Sequence, residues 1–518
     1  MVPIPSNSVD AVRWTITAQS EDETVDVAGK LAPLFKAGDL ITLSGGLGAG
    51  KTSLARALIR ALTKQPALDV PSPTFTLVQT YDGPEFPIVH ADLYRISDPE
   101  ELVELGFDDL IHGALALIEW PERAPDFLRS SHLDIAIKML PETGGAGRSI
   151  TLTGTGPFAA TLAQFSAQST LLANAGWANA SREKIAGDAS GRHFERLKQG
   201  DQSAILMISP LPDQGLATPA RNAYRAAAKL SDSVGTFIAM ADGLRSIGLS
   251  APKIFGADIG SGLVLAEDFG TEGIVGSNGP IPERYFEATA LLAKLHSLEL
   301  PRDLPQHDAD PYHLPAYDIE ALLVEVEVFL EWFMPKAAQK AVSMAERDEF
   351  LAIWRRLLEP RLLEQHTWTL RDYHSPNLFW IEGREGIQRV GVIDIQDAVW
   401  GHPAYDLGSL LQDARVAIPE SLELELFEFY IRNRHTRDLN FDMTSFVSSY
   451  AIYAAQRVIK VLGIFNRLNQ RDAKPEYLRH LPHVKAYLRR DLRHSALGEL
   501  REWLHRHCPE LLGEPLSA

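Results

Sequence analysis

The stretch LITLSGGLGAGKTSLARAL, residues 40–58, decides the fold of the first part of this chain. Leu40 to Leu43 reads as an apolar strand, and Ser53 to Leu62 carries apolar side chains at helical spacing. Between them Gly45, Gly50, Lys51 and Thr52 fit G-x-x-x-x-G-K-[ST]. A strand that breaks into such a loop and restarts as a helix builds a phosphate cradle. Gly45, Gly48 and Gly50 let main-chain N–H groups turn inward, and the helix N-terminus, opened by Lys51, Thr52 and Ser53, adds its dipole. Lys51 brings a point charge to the phosphates, and the Thr52 hydroxyl reaches a divalent cation.

A phosphate cradle of this kind needs a carboxylate at the end of a neighbouring strand. LALIEW supplies Glu119 after four apolar residues, and HADLYR supplies Asp92 after the strand-like PIVHA. A buried glutamate there is costly unless a cation meets it. His90 shares a strand face with Asp92 and is left without a role. Further outward, TVDVAGKLAPLFKAG reads as helix, and HLDIAIKML and RSITLTG read as two strands around the turn-rich PETGGAG. Residues 1–154 are therefore expected to form a small α/β P-loop domain. The nearly uncharged FAATLAQFSAQSTLLANAGW that follows is expected to be a helical linker, over 155–180.

Residues 181–518 read differently. A short mixed β and α part, with SAILMISP and LVLAEDFG as strands, gives way to long helical runs such as TSFVSSYAIYAAQRVIKVLGIF. That is the outline of a bilobal, protein-kinase-like α+β fold. Within it LRDYHSPNLF, residues 370–379, spaces Asp372 and Asn377 as D-x-x-x-x-N, and Asp394 follows the β-like RVGVI. In kinase-like phosphotransferases these residue types serve as the base for the attacking hydroxyl, a metal ligand, and a carboxylate joining metal to phosphates. Asp372 is thus the candidate base, with Asn377 and Asp394 as candidate metal ligands. Asp406 in PAYDL is expected to hold the loop from behind, and His374 is open between substrate contact and backbone capping. Where a phosphate-clamping lysine is expected, SAILMISP presents Met207. Asp188, Ser190 and Arg192 in GDASGR, and Ala266 to Phe269 with Glu267 and Phe269, take their expected roles only from the resemblance given below, which implies that the loop meets phosphates or metal in place of a lysine and that the second stretch is the hinge for an adenine.

The chain has 518 residues, 45% hydrophobic and 23% charged, enough for two or three cores. Neither a long apolar run nor a signal-like N-terminus is read, and Cys508 stands alone, so a cytoplasmic location is expected. Net charge is −18; residues 1–154 hold 12 basic against 21 acidic side chains, a net of −9. A domain gripping nucleic acid through phosphates normally shows a basic face. Any RNA role of the first domain is therefore expected to run through a protein partner, and no membrane or DNA partner is expected. The basic stretch around Lys485, Arg489, Arg490 and Arg493 is read as solvated surface.

Five blocks, GGLGAGKTS, SPTFTLVQTY, HADLYR, PEELVELGFDD and ALIEWPERA, resemble the bacterial ATPase subunit of the tRNA threonylcarbamoyladenosine-forming machinery. The resemblance implies ATP and Mg²⁺ as cofactors, the other subunits of that complex as partners, tRNA reached through them, Thr74 in a γ-phosphate-sensing loop, and Glu119 completing the metal site. IAGDASGRHFERL, LVLAEDFG, LRDYHSPNLFW, IDIQDAVWGHPAYDLGSLLQDAR and FNRLNQRDAKPEYLRHLP resemble the aminoglycoside phosphotransferase superfamily. Within it they are similar to the sugar kinases of N-acetylmuramate and N-acetylglucosamine, which implies an amino-sugar acceptor and an active enzyme despite Met207. The residues alone leave alternatives open. They are a nucleotide-dependent interaction module in the first domain and, in the second, an aminoglycoside or choline kinase or a catalytically silent scaffold.

Overall fold

The computed structural model describes residues 11–98, 100–125, 132–185, 192–209, 218–231, 233–306, 309–339 and 341–512. Asp188 and Ser190 lie outside these residues. The chain divides into two compact units, residues 1–173 and 174–518.

The first unit is built on one seven-stranded sheet: β1 (Val12–Ala18), β2 (Leu40–Ser44), β3 (Val78–Asp82), β4 (Pro87–Asp92), β5 (Leu115–Glu119), β6 (Leu133–Met139) and β7 (Arg148–Gly154). Their order is β1-β7-β6-β2-β5-β4-β3. β2 is central, with β5 and β6 parallel on either side and β4 parallel beyond β5. Helix α1 (Glu21–Leu31) and helix α2 (Lys51–Thr63) cover one face. Alternate residues of β5 enter opposite cores. Leu115 and Leu117 pack with Ile41, Leu54 and Leu58, while Ala116 and Ile118 pack with Val89, Phe107 and Ile111. A sheet covered on both faces explains why its strands read as unbroken apolar runs.

The segment expected as a linker is a helix, Pro157–Asn174, and it does more than connect. Phe158, Leu162 and Phe165 join the core of the first unit, and Phe165 meets Trp14 of β1 edge-on at 5.5 Å between ring centres. The apolar side chains that make this helix nearly uncharged are the reason it docks.

The second unit opens on a five-stranded antiparallel sheet of β8 (Ser181–Ile185), β9 (His193–Gln199), β10 (Gln202–Ile208), β11 (Ile254–Asp258) and β12 (Leu263–Glu267), ordered β11-β12-β10-β9-β8. After β12 the chain is mainly helical. The 30-residue helix Met443–Asp472 runs through this part with most of its residues buried. It comes so close to the helix Ile319–Val328 that a Cβ on Gly463 would sit 2.5 Å from the Val328 carbonyl carbon. Gly463→Ala is expected to lower stability by about 2 kcal/mol through overpacking against backbone that cannot yield. The shift of the urea midpoint measures it. Among the described residues no helix is long and apolar enough to cross a membrane.

Candidate active sites

In the first unit the loop after β2 runs through left-handed backbone at Gly45 (φ 141°), Gly48 (φ 74°) and Gly50 (φ 106°). A Cβ at Gly45 would lie 2.4 Å from the Ile137 carbonyl oxygen of the neighbouring β6, so only glycine fits against that strand. Lys51 begins α2 and is buried. Its Nζ donates to the Gly45 and Gly46 carbonyls at 2.8 and 3.0 Å and lies 3.6 Å from the centre of the Trp120 ring. Burial lowers the Lys51 pKa, while Glu119, Glu122 and Asp92 act in the opposite sense.

Glu119 ends β5 beside β2, in register with Leu43, and Asp92 ends β4 in register with Glu119. Both carboxylates thus emerge at the C-terminal edge of the parallel strands, where α/β sheets bind ligands. Thr52 Oγ1 donates to Glu119 Oε2 at 2.9 Å, and His90 Nε2 meets Glu119 Oε1 at 2.9 Å in a buried contact. His90, left without a role by its sequence, is therefore the second holder of Glu119. Thr74 and Ser72 donate to Asp92 Oδ2 at 3.0 and 3.2 Å, which ties the loop carrying Thr74 to the end of β4. Ser53 and Gly50 face a cavity of about 550 Å³ lined also by Thr24, Val25, Arg56 and Arg148.

In the second unit Asp372 and Asn377 lie between two short antiparallel ladders, Thr367–Thr369 with Val399–Gly401 and Leu378–Trp380 with Val390–Val392, and Asp394 follows the latter directly. Asn377 Nδ2 donates to the Asp372 carbonyl at 3.0 Å and lies 3.5 Å from Asp394 Oδ2. With Nδ2 so committed, Oδ1 is the atom Asn377 can offer a cation. Gln396 Nε2 donates to Asp394 Oδ1 at 2.7 Å. Burial and then the facing Asp372 push the Asp394 carboxyl up to about 6, though about 41% of its side-chain surface is exposed. Carboxylates that oppose each other in this way draw positive charge between them.

The loop is pinned from behind. Asp406, fully buried, accepts from the Leu370 and Arg371 amides at 2.7 and 2.8 Å, and Asp413 accepts from the Ser375 amide at 2.7 Å. The Arg371 guanidinium pairs with Glu325 of the helix Ile319–Val328. Glu325 also accepts from Lys460 at 2.7 Å, Tyr317 at 2.5 Å and Gln456 at 3.1 Å. Leu77, Trp120, Arg371 and Asp394 are four of eight described non-glycine residues with left-handed φ, so backbone strain gathers at the two sites.

Met207 is buried in the hydrophobic core, and the cation that reaches Asp394 is Arg192, with Nη1 3.9 Å from Oδ1. The Glu267 and Phe269 side chains are turned elsewhere. Glu267 accepts from Arg384 at 2.6 Å, and Phe269 covers Gly391, where an added Cβ would meet its ring at 2.6 Å. His374 Nε2 is 3.9 Å from Asp372 Oδ1; the side chain is half-buried, and its buried Nδ1 has no hydrogen-bond partner among the described residues.

No cluster of three or more His, Cys, Asp or Glu side chains suited to a metal occurs among the described residues. A divalent ion in either site therefore depends on phosphate oxygens and water for the rest of its shell, the habit of nucleotide-bound metals. The hydroxyl, amide and carboxylate oxygens present fit that hard, oxygen-seeking chemistry.

Residues 18–149 match the family described as Threonylcarbamoyl adenosine biosynthesis protein TsaE, and residues 181–439 match the Phosphotransferase enzyme family. The tRNA threonylcarbamoyladenosine biosynthesis protein TsaE of Rickettsia conorii is 41% identical over 124 residues, 24% of this chain and 70% of that protein. An N-acetylmuramate/N-acetylglucosamine kinase of Caulobacter vibrioides is 35% identical over 355 residues, 66% of this chain and 96% of that protein. A protein of the same name from Neisseria meningitidis is 30% identical over 316 residues, 60% of this chain and 85% of its own length. With its phosphate loop in one unit and its Asp372, Asn377 and Asp394 constellation in the other, this chain is a fusion enzyme that belongs to the TsaE ATPases through the first and to the phosphotransferase enzyme family through the second.

Proposed function

We propose that the second unit transfers the γ-phosphate of ATP to a hydroxyl of an amino sugar of the N-acetylmuramate/N-acetylglucosamine type. We propose too that the first unit hydrolyses ATP in support of tRNA threonylcarbamoylation. The observation that carries the kinase reading is the meeting of Asp372, Asn377 and Asp394 at one partly open cleft beneath Arg192. Asp372 takes the proton of the acceptor hydroxyl as its oxygen bonds to phosphorus and the bond to the departing ADP breaks. Asn377 Oδ1 and Asp394 would hold Mg²⁺, which would supply positive charge against the phosphates. Arg192 supplies the fixed positive charge that a lysine at the Met207 position would otherwise bring.

Arg192→Ala is accordingly expected to cut kcat/KM for ATP about 100-fold, the order that follows from losing one preorganised charge on a transition state. Arg192→Lys should recover part of it. Phosphorylation of N-acetylmuramate and N-acetylglucosamine, with ³¹P NMR of the product, tests the reading itself.

In the first unit Thr52 and Glu119 would hold the Mg²⁺ of bound ATP, the amides of residues 45–52 would hold its phosphates, and Asp92 with Thr74 would sense the terminal phosphate. The cavity beside Gly50 and Ser53 takes the nucleoside. The other subunits of the threonylcarbamoylating complex are the expected partners, and exposed Leu47 and Phe75 beside these loops support a protein contact there. A second reading, in which the bound state matters more than turnover, is favoured by Lys51. Two of its three donors are spent on carbonyls, and it lies over the Trp120 ring, which leaves one donor for a phosphate. ATP turnover measured with and without the partner subunits separates the two, since a signalling module stays slow in both.

A further inference from the structure

One arginine near the kinase site has no evident reason to be charged where it is. Arg457, on the helix Met443–Asp472, is 4% exposed. It forms no ion pair with any described carboxylate, and its one hydrogen bond among the described residues runs from Nη1 to the Gln412 carbonyl at 3.4 Å. A buried guanidinium held by one long bond to a neutral acceptor is costly, because no carboxylate stands within ion-pair distance to offset its desolvation. Arg371, buried, and Lys460, partly buried, in the same unit are by contrast both matched by Glu325.

Its surroundings are those of the reaction. Gln412 precedes Asp413, which holds the Ser375 amide of the Asp372 loop, and beside burial the carboxylates of Asp413 and Asp372 and then the opposing charges of Arg457 and Arg415 all bear on His374, 3.9 Å from Asp372. Arg415 lies 4.8 Å over the Tyr477 ring and 5.9 Å over that of Phe465. His480 and His483 continue this wall, with rings 5.6 Å apart. Phe465, Tyr477 and His480 belong to FNRLNQRDAKPEYLRHLP, a block that phosphate transfer itself does not use. Burial and the neighbouring His483, Arg479 and Arg415 hold His480 down at about 4, so it is neutral and the charge of the wall rests on its arginines.

We propose that Arg457, with Arg415 beside it, receives the carboxylate of an acidic amino sugar and so sets the preference of the kinase between acidic and neutral acceptors. The assignment rests on the amino-sugar reading above. N-acetylmuramate carries a lactyl carboxylate and N-acetylglucosamine does not, so an arginine at this place distinguishes them by charge. Planar guanidinium geometry suits two parallel bonds to such a group.

The test uses the full-length chain, ATP and each of the two sugars, with kcat and KM measured for wild type, Arg457→Met and Arg457→Lys, and thermal unfolding followed for all three. The expected result is a KM for N-acetylmuramate raised about 20-fold in Arg457→Met, as loss of a charge-assisted bond gives, and at least about tenfold more loss for that sugar than for N-acetylglucosamine. Arg457→Lys should restore part of the discrimination. Equal losses on both sugars, together with a lower unfolding temperature, would assign Arg457 to capping the Gln412 carbonyl and overturn the proposal. Unaltered KM for both overturns it as well. A wild-type protein that phosphorylates neither sugar fails differently: it removes the amino-sugar reading first, and this assignment with it.

Discussion

Asp372→Asn is expected to slow phosphate transfer to the sugar about 10³-fold or more while the protein keeps its fold, and Lys51→Ala to leave that transfer in place while stopping ATP hydrolysis by the first unit. The magnitude follows from the chemistry, since a general base positioned on the attacking hydroxyl is worth about 10² to 10⁴ in rate. The folding half of the expectation is structural. Asp372 holds its loop through backbone, with its carbonyl accepting from Asn377 and its amide donating to the Leu370 carbonyl at 2.8 Å. The carboxylate makes no hydrogen bond among the described residues, with His374 3.9 Å away and Asp394 facing it, so the isosteric amide removes no anchoring bond. It also relieves the repulsion that raises Asp394. Lys51 serves a separate constellation in residues 1–173. Two assays on each variant, sugar phosphate formation and phosphate release without sugar, give four outcomes. A single variant that silences both assays would show one nucleotide site where the sequence and structure present two.

The parts of these sites that are legible in the sequence are those written over short stretches. Eight consecutive residues, 45–52, state the phosphate loop, and six, 372–377, state the proposed base and its amide partner, because the geometry of a loop is local. Strand-end carboxylates are nearly as legible. Glu119 and Asp92 follow apolar runs that leave nowhere else for them to emerge than the sheet edge. Other functional residues carry no local mark. His90 meets Glu119 across 29 residues, and Lys460 and Arg371 meet Glu325 across 135 and 46. Only packing of distant elements creates those contacts, and a charged residue in an amphipathic helix reads as surface until a partner is seen. The helix Pro157–Asn174 shows the reverse error. Its uniform small apolar composition hides a docking face, since alanine-rich sequence shows little contrast between its sides.

Glu325→Gln is expected to cost about 3–5 kcal/mol, because it leaves the buried Arg371 and the partly buried Lys460 without their counter-charge. Burial alone would raise the Glu325 carboxyl; Lys460 and then Arg371, aided by the Tyr317 hydroxyl, more than reverse this and hold it at about 2, below its ordinary 4.5. A carboxylate whose folded pKa lies below its unfolded one binds its proton more readily when the chain is open. Its contribution is therefore complete above about pH 4.5 and is lost as pH falls toward 2. Urea midpoints taken across that window should fall steeply in the wild type and more gently in Glu325→Gln. A variant with the wild-type slope would mean that Glu325 is not the anion that balances this cluster. Activity gives an independent reading, for Arg371 immediately precedes Asp372 and is held in left-handed backbone at φ 66°. If Glu325 keeps that strained residue in place, Glu325→Gln lowers kcat for sugar phosphorylation even in conditions where the protein remains folded. Replacing Glu325, Arg371 and Lys460 together by apolar residues should then recover stability, as such exchanges often do, but not kcat. Stability needs only that the buried charges balance or vanish, whereas catalysis needs Arg371 where Glu325 holds it.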